Sequence, residues 1–173
     1  MKGQTIIYYG MGKGKTTAGI GLCIRALGAG LRVVFLQFIK KEISSEIKIL
    51  YKLKNLKVEV GGKGFYKIFG DQKPKAEHKK AAKKLFAKAG NYLKNSKVDL
   101  LVLDEILDAV EYDLIPEKEL VDFILKKPDN VTLVLTGHKV SAKLVKIADV
   151  VTEMKKIKHI YDKRVVAQFG IDF

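Results

Sequence analysis

The chain has 173 residues, with 33 Lys and Arg against 19 Asp and Glu, a formal net charge of +14 and 47% apolar residues. That length predicts one compact domain over residues 1–173 with a full core; the absence of any run of eighteen or more apolar residues argues against a membrane span. The single cysteine, Cys23, excludes a disulfide framework within the chain.

The amino end, Met1-Lys2-Gly3-Gln4, runs into a strand without a signal-peptide pattern, so a cytoplasmic location is expected. The first predicted strand, Thr5–Tyr9, leads straight into Gly10-Met11-Gly12-Lys13-Gly14-Lys15-Thr16-Thr17, and a helix is predicted over Lys15–Gly28. Strand, glycine-rich loop and helix in that order curl backbone N–H groups around phosphate oxygens at the positive end of a helix. Lys15 then supplies a charge to the distal phosphates and the Thr16 hydroxyl a ligand for Mg²⁺. The usual spacing places a glycine five residues before Gly14; that position is Tyr9, so the loop is one residue short and carries an extra Lys13. An ordinary turn can also read Gly-x-Gly-x-Gly, but the Lys-Thr-Thr that follows argues for a nucleoside triphosphate. Cys23 falls on the apolar side of the helix as a small core residue, and Gly28 and Gly30 are placed to end it.

Strands are next predicted at Arg32–Phe38 and Lys57–Val60, with a helix over Glu42–Lys54 between them. Gly61-Gly62-Lys63-Gly64-Phe65-Tyr66 follows as a bent loop carrying two aromatic rings. Those rings either fold back onto the core or cover a large planar ligand. A helix over Ala76–Leu93 belongs to a segment that holds Lys73, Lys75, Lys79, Lys80, Lys83, Lys84, Lys88, Lys94 and Lys97 with Glu77 as its sole acid. Such a stretch is either a solvated lysine face or a surface that attracts an anionic partner.

A strand over Val98–Leu103 ends in Asp104-Glu105, two acids where the second half of a nucleotide–Mg²⁺ site belongs, and Glu105 is expected as the nearer metal contact. A helix over Pro116–Leu125 puts Pro116 in its first turn. The strand Val131–Leu135 leads into Thr136-Gly137-His138, read either as a tight turn or as a point where backbone meets ligand. A helix over Ser141–Ile147 and a strand over Val150–Thr152 complete the pattern. His78, His138 and His159 have no ligand spacing with one another or with Cys23, so no zinc site is expected. Alternating strands and helices predict an α/β fold with an open, mostly parallel sheet and helices on both faces, its ligand beyond the carboxyl ends of the strands.

Together these residues resemble the P-loop type of ATP:corrinoid adenosyltransferase. The resemblance runs from about Ile6 to Phe173. Its pieces are the loop at residues 10–17, Gln37-Phe38-Ile39-Lys40, Gly62-Lys63-Gly64-Phe65, Leu103-Asp104-Glu105, Thr136-Gly137, Ala148-Asp149-Val150-Val151-Thr152-Glu153-Met154, Lys158-His159 and Gly170-Ile171-Asp172. The resemblance implies a RecA-like P-loop fold, a homodimer, and transfer of the 5′-deoxyadenosyl group of ATP to the Co(I) centre of a corrinoid, with triphosphate released whole. It implies ATP seated in the loop in reverse, with Gly10, Met11, Gly12, Lys13, Gly14, Lys15, Thr16 and Thr17 around the triphosphate, Arg25 as a further phosphate contact, and Thr16 and Glu105 on Mg²⁺ or Mn²⁺. Phe65 matches an aromatic that displaces the lower axial ligand of cobalt. A reduced flavoprotein is implied as electron donor, for which the basic surface offers a dock, and neither nucleic acid nor membrane is expected as a partner.

Two positions depart from the pattern. Lys67 stands where an aromatic often follows Phe65, which leaves Tyr66 or Phe69 to complete the wedge. His138 stands where an arginine usually follows Thr-Gly. The amino-terminal extension that helps cover the corrin in some relatives is not expected here. Outside that family, the residues suit a P-loop kinase or ATPase, or a RecA-like nucleic-acid-binding ATPase.

Overall fold

In the strand Val33–Gln37, Val33 and Phe35 enter one apolar cluster while Val34 and Leu36 enter another, and all four are buried. The strand Leu100–Asp104 repeats the division, with Leu100 and Val102 on one side and Leu101 and Leu103 on the other. Strands covered on both faces read as unbroken apolar runs and belong to a parallel sheet with helices above and below. A computed structural model of the chain, describing residues 2–40, 44–64, 66, 71, 73–95, 97–163 and 166–171, shows that arrangement.

The elements run β1 (Thr5–Tyr9), α1 (Lys15–Gly28), β2 (Val33–Gln37), α2 (Ser45–Leu50), β3 (Leu56–Val60), α3 (Lys75–Asn95), β4 (Leu100–Asp104), α4 (Ile106–Glu111), α5 (Glu117–Leu125), β5 (Thr132–Gly137), α6 (Ala142–Ile147) and β6 (Val150–Glu153), followed by a 3₁₀ turn at Ile160–Lys163. The sheet order is β3-β2-β4-β5-β1-β6, and each neighbouring pair is parallel. The sheet is therefore wholly rather than mostly parallel, in an α/β fold of the RecA-like P-loop kind. One apolar layer packs α1 and α2 through Cys23, Ile47 and Leu50. The other packs α3, α4 and α5 through Ala82, Leu85, Ala89, Leu107, Leu120 and Val121. Cys23 is fully buried as expected, and burial pushes its thiol up to about 12.

Several boundaries differ from expectation. The second helix is shorter than Glu42–Lys54: α2 covers Ser45–Leu50, and residues 41–43 lie outside the described ones. Its inward face is Ile47 and Leu50, and beyond Tyr51 the chain tightens, with Lys52 N–H donating to the Ile49 carbonyl. α4 was not predicted. At six residues it is too short for helical periodicity to register, and Ile106, Leu107, Asp108 and Ala109 are all buried. Pro116 caps α5 from outside in an extended conformation instead of sitting in its first turn. Thr136 and Gly137 continue β5 rather than forming a turn, because Tyr8 and Tyr9 of β1 pair with them. Gly30, at φ 78°, takes the left-handed conformation expected just beyond α1. Among the described residues no helix is long and apolar enough to cross a membrane.

Candidate nucleotide site

The loop from Gly10 to Gly14 joins β1 to α1 at the carboxyl edge of the sheet. Gly10 and Gly14 have φ of 117° and 108°, a backbone region that residues with a Cβ rarely adopt. Behind the loop runs the chain leaving β6. The Gly12 N–H donates to the Met154 carbonyl at 2.6 Å, and the Met154 N–H donates to the Tyr9 carbonyl at 2.7 Å. A Cβ on Gly10 or Gly12 would stand 2.5 Å from that Met154 carbonyl oxygen. The Thr152-Glu153-Met154 segment is thus the wall that shapes the loop.

Lys15 curls into the loop, its Nζ donating to the carbonyls of Gly10 and Gly12, both at 2.8 Å. Burial lowers the lysine's pKa, opposed by the carboxyls of Asp108, Asp104 and Glu105. α1 starts with no side-chain cap and no acid in its first turn, which leaves its positive end to an anion. Met11, Lys13 and Thr17 are exposed around the loop. Arg25 is not brought to it: the residue is exposed in the last turn of α1, ten positions after Lys15, or about 15 Å along the axis.

Thr16 faces the acid strand. Because β5 lies between β1 and β4, the tip of β4 comes opposite the start of α1. The Thr16 hydroxyl donates to Asp104, at 3.0 Å to Oδ1 and 3.2 Å to Oδ2. Asp104 also accepts from the Thr136 hydroxyl at 2.7 Å and from Gln37 Nε2 at 2.9 Å. Burial of this carboxylate raises its pKa even against those three donors. Glu105 is the next residue and points elsewhere, one carboxylate oxygen accepting from the Lys40 N–H at 3.2 Å. Its φ of 61° is strained for a residue with a Cβ and turns the chain from β4 directly into α4. Its pKa is pushed up to about 7, first by burial and then by the charge of Asp104.

From the sequence, Glu105 is expected as the nearer metal contact. The carboxylate that meets the Thr16 hydroxyl is that of Asp104, whose side chain continues the alternation of β4. In the sequence, Gln37 carries no stated role, Thr136 belongs to a triplet read as a tight turn or as a point where backbone meets ligand, and Asp108 carries no expectation. Their signal is long-range: Gln37 and Asp104 are 67 positions apart in sequence. Thr16, Asp104 and Glu105 offer only hard oxygen donors, the chemistry Mg²⁺ and Mn²⁺ prefer. Gln37 Oε1, on the same side chain that holds Asp104, is a further buried oxygen with no hydrogen-bond partner among the described residues. This donor set fits a divalent cation.

The triplet Thr136-Gly137-His138 works as a unit. Thr136 Oγ1 accepts from the Glu105 N–H at 2.9 Å while donating to Asp104. His138 takes the Asp108 carboxylate. Gly137 leaves room for α4: a Cβ there would lie 2.5 Å from Leu107 Cβ and 3.0 Å from the Asp108 nitrogen. Gly137→Ala is expected to cost about 1–3 kcal/mol, a fall in Tm of roughly 2–12 °C in a thermal melt. An unchanged Tm would contradict this packing.

Phe65, like Lys67 and Phe69, lies outside the described residues. Tyr66 is buried, with its ring 5.2 Å from that of His78 and 5.6 Å from that of Tyr112, centroid to centroid. It folds back onto the core. On α3, His78, Ala82, Leu85 and Ala89 point inward while Lys79, Lys80, Lys83 and Lys84 stand in solvent.

The family model for ATP:corrinoid adenosyltransferase BtuR/CobO/CobP matches residues 1–173. The corrinoid adenosyltransferase of Escherichia coli (strain K12) is 33% identical over 172 residues, covering 99% of this chain and 86% of its own length. Corrinoid adenosyltransferase CobA of Salmonella typhimurium is 32% identical with the same coverage. A corrinoid adenosyltransferase from a Sinorhizobium species is 34% identical over 176 residues, covering 99% of this chain and 81% of the relative.

Proposed function

Because this chain belongs to the ATP:corrinoid adenosyltransferase family and is an enzyme of ATP-dependent corrinoid adenosylation, we propose that it works by direct displacement at the ribose of ATP. The cobalt of a Co(I) corrinoid attacks C5′. The cobalt–carbon bond forms with the metal's electron pair, the C5′–O bond breaks, and triphosphate departs with the bonding electrons. Cobalt ends as Co(III). No general base is needed, since the nucleophile carries no proton, and positioning supplies much of the rate.

The observation that carries this reading is the shortened loop closed around the Lys15 ammonium. A cation held within a glycine loop supports a polyphosphate site there, and in the proposed reaction the charge that grows does so on the departing triphosphate. Gly10 to Thr17 wrap that group, with Lys15 as its main cation. Thr16, Asp104 and Glu105 hold Mg²⁺ or Mn²⁺, directly or through water, and the cation neutralises polyphosphate charge. Phe65 keeps the role implied by the resemblance, excluding the lower axial ligand of cobalt.

Two partners belong to the same proposal. A reduced flavoprotein with an acidic surface supplies the electron for Co(II); the lysine face of α3 supports it, as does an adjoining cavity of about 590 Å³ whose lining includes Lys63, Lys80, Lys84 and Lys88. A second copy of the chain makes a homodimer. In support, Ile157, Val166, Phe169 and Ile171 are each more than two-thirds exposed near the carboxyl end, a concentration of open apolar surface that commonly marks an interface.

Incubation with ATP, Mg²⁺ and a chemically reduced corrinoid tests the reaction. One adenosylated corrinoid per intact tripolyphosphate is expected. ADP formation, or phosphate release without an adenosylated corrinoid, would refute the displacement.

A further inference from the structure

His138 stands at the end of β5, against the start of the glycine loop: its carbonyl accepts from the Gly10 N–H at 3.1 Å. Its own N–H and its Nδ1 both meet Asp108 Oδ1, at 2.8 and 2.9 Å. The partners differ in exposure. The Asp108 side chain is 6% exposed and the imidazole 48% exposed. A buried carboxylate thus grips one ring nitrogen while the rest of the ring remains open beside the loop. Asp108 comes from α4, Lys15 from α1 and Glu105 from the β4–α4 turn, and these are the charges that act on the ring.

The tautomer decides what the ring can do. A carboxylate accepts only, so Nδ1 must carry a proton to bond it. In the neutral ring Nε2 is then an acceptor, and its lone pair repels a phosphate oxygen. In the protonated ring Nε2 becomes a donor on a cation, and it attracts the same oxygen.

We infer that His138 is a second polyphosphate-binding residue of this site, working beside Lys15 and only when protonated, with Asp108 as the residue that orients its ring. The inference rests on the nucleotide reading above. Direct bonding to Asp108 already raises the pKa of His138 above the usual histidine value, against partial burial and the Lys15 charge. A bound polyanion raises it further by linkage. Polyphosphate affinity contributed by His138 is therefore present at low pH and is lost as pH rises through that value.

Calorimetric titration with inorganic tripolyphosphate at fixed Mg²⁺, at pH 6 and pH 9, tests this on wild type, His138→Arg and His138→Gln. Ratios between proteins cancel the ligand's own titration. At pH 6 wild type is expected to bind within about twofold of His138→Arg and about tenfold more tightly than His138→Gln, the effect of one charge-assisted hydrogen bond. At pH 9 wild type is expected to fall to the level of His138→Gln, about tenfold below His138→Arg. A wild-type to Arg ratio that does not change with pH, or equal binding by wild type and the Gln variant at pH 6, would overturn the inference while leaving the nucleotide site standing. No binding by any of the three proteins at either pH would overturn the nucleotide reading and this inference with it. A purely structural tie between β5 and α4 would move Tm with pH but not these ratios.

Discussion

Lys15→Ala is expected to lower turnover by about 10³-fold or more, beyond the 10²–10³ typical of removing one neutral donor from a site of developing charge. Two losses combine. The ammonium is the cation nearest the loop's centre, and it also ties the carbonyls of Gly10 and Gly12 together at 2.8 Å each. Removing it opens the loop and, on the proposed reading, takes away the charge that meets the departing triphosphate. Stability should change little, because burying the ammonium is itself unfavourable, as its lowered pKa records. Lys15→Arg is not expected to rescue: the loop seats a compact point charge, and a planar fork has different geometry. Single-turnover rates from a preformed Co(I) corrinoid measure the effect without the reduction step. Near-normal turnover would contradict the loop's assigned role.

Asp104→Asn separates activity from stability. The substitution keeps shape and removes charge. Thr16 and Thr136 have rotatable hydroxyls that can accept from an amide where they donated to a carboxylate. The ionised carboxylate is buried, and its pKa in the fold is raised. The folded state then binds the proton more tightly than the unfolded chain does, so wild-type stability without a divalent cation falls as pH rises from the unfolded value through the folded one. The Asn variant lacks that loss. Its Tm at pH 7 in the presence of a chelator is expected to equal or exceed that of wild type. Its activity is expected to fall about 10²-fold or more, since an amide is a poor partner for a divalent cation at a phosphoryl site. Added Mg²⁺ with ATP should raise the Tm of wild type more than that of the variant. A variant that is active, or one markedly less stable in chelator, would contradict this reading of Asp104.

The parts of this fold that sequence discloses are those with a local repeat. β1, β2, β4 and β5 are short apolar runs because both faces are covered, and α3 shows its buried stripe at His78, Ala82, Leu85 and Ala89. α4 has no such stripe, being buried nearly all round and only six residues long. The glycine loop is legible because its chemistry needs glycines, a lysine and a threonine at fixed spacing. The acid site is half legible: two carboxylates at the tip of an apolar strand announce themselves. Which of them meets Thr16 depends on strand alternation and on a left-handed Glu105 that no local pattern discloses. Gln37 and Thr136 join the site through pairings between distant strands, while Asp108 from α4 and Met154 just beyond β6 meet it at strand ends, so their roles emerge only once the sheet order is known. From the sequence, Thr136-Gly137-His138 reads equally as a tight turn or as a point where backbone meets ligand, because small residues serve both. Here the small residue admits a helix, and its neighbours hold two buried carboxylates.

A crystal structure with ATP and a divalent cation bound is the most direct test of the displacement at C5′. Triphosphate enclosed by Gly10 to Thr17, with its far end at Lys15 and the ribose C5′ turned outward toward open space, is the expected result. The reverse pose, with C5′ enclosed and the terminal phosphorus facing that space, would contradict it and return the site to phosphoryl transfer.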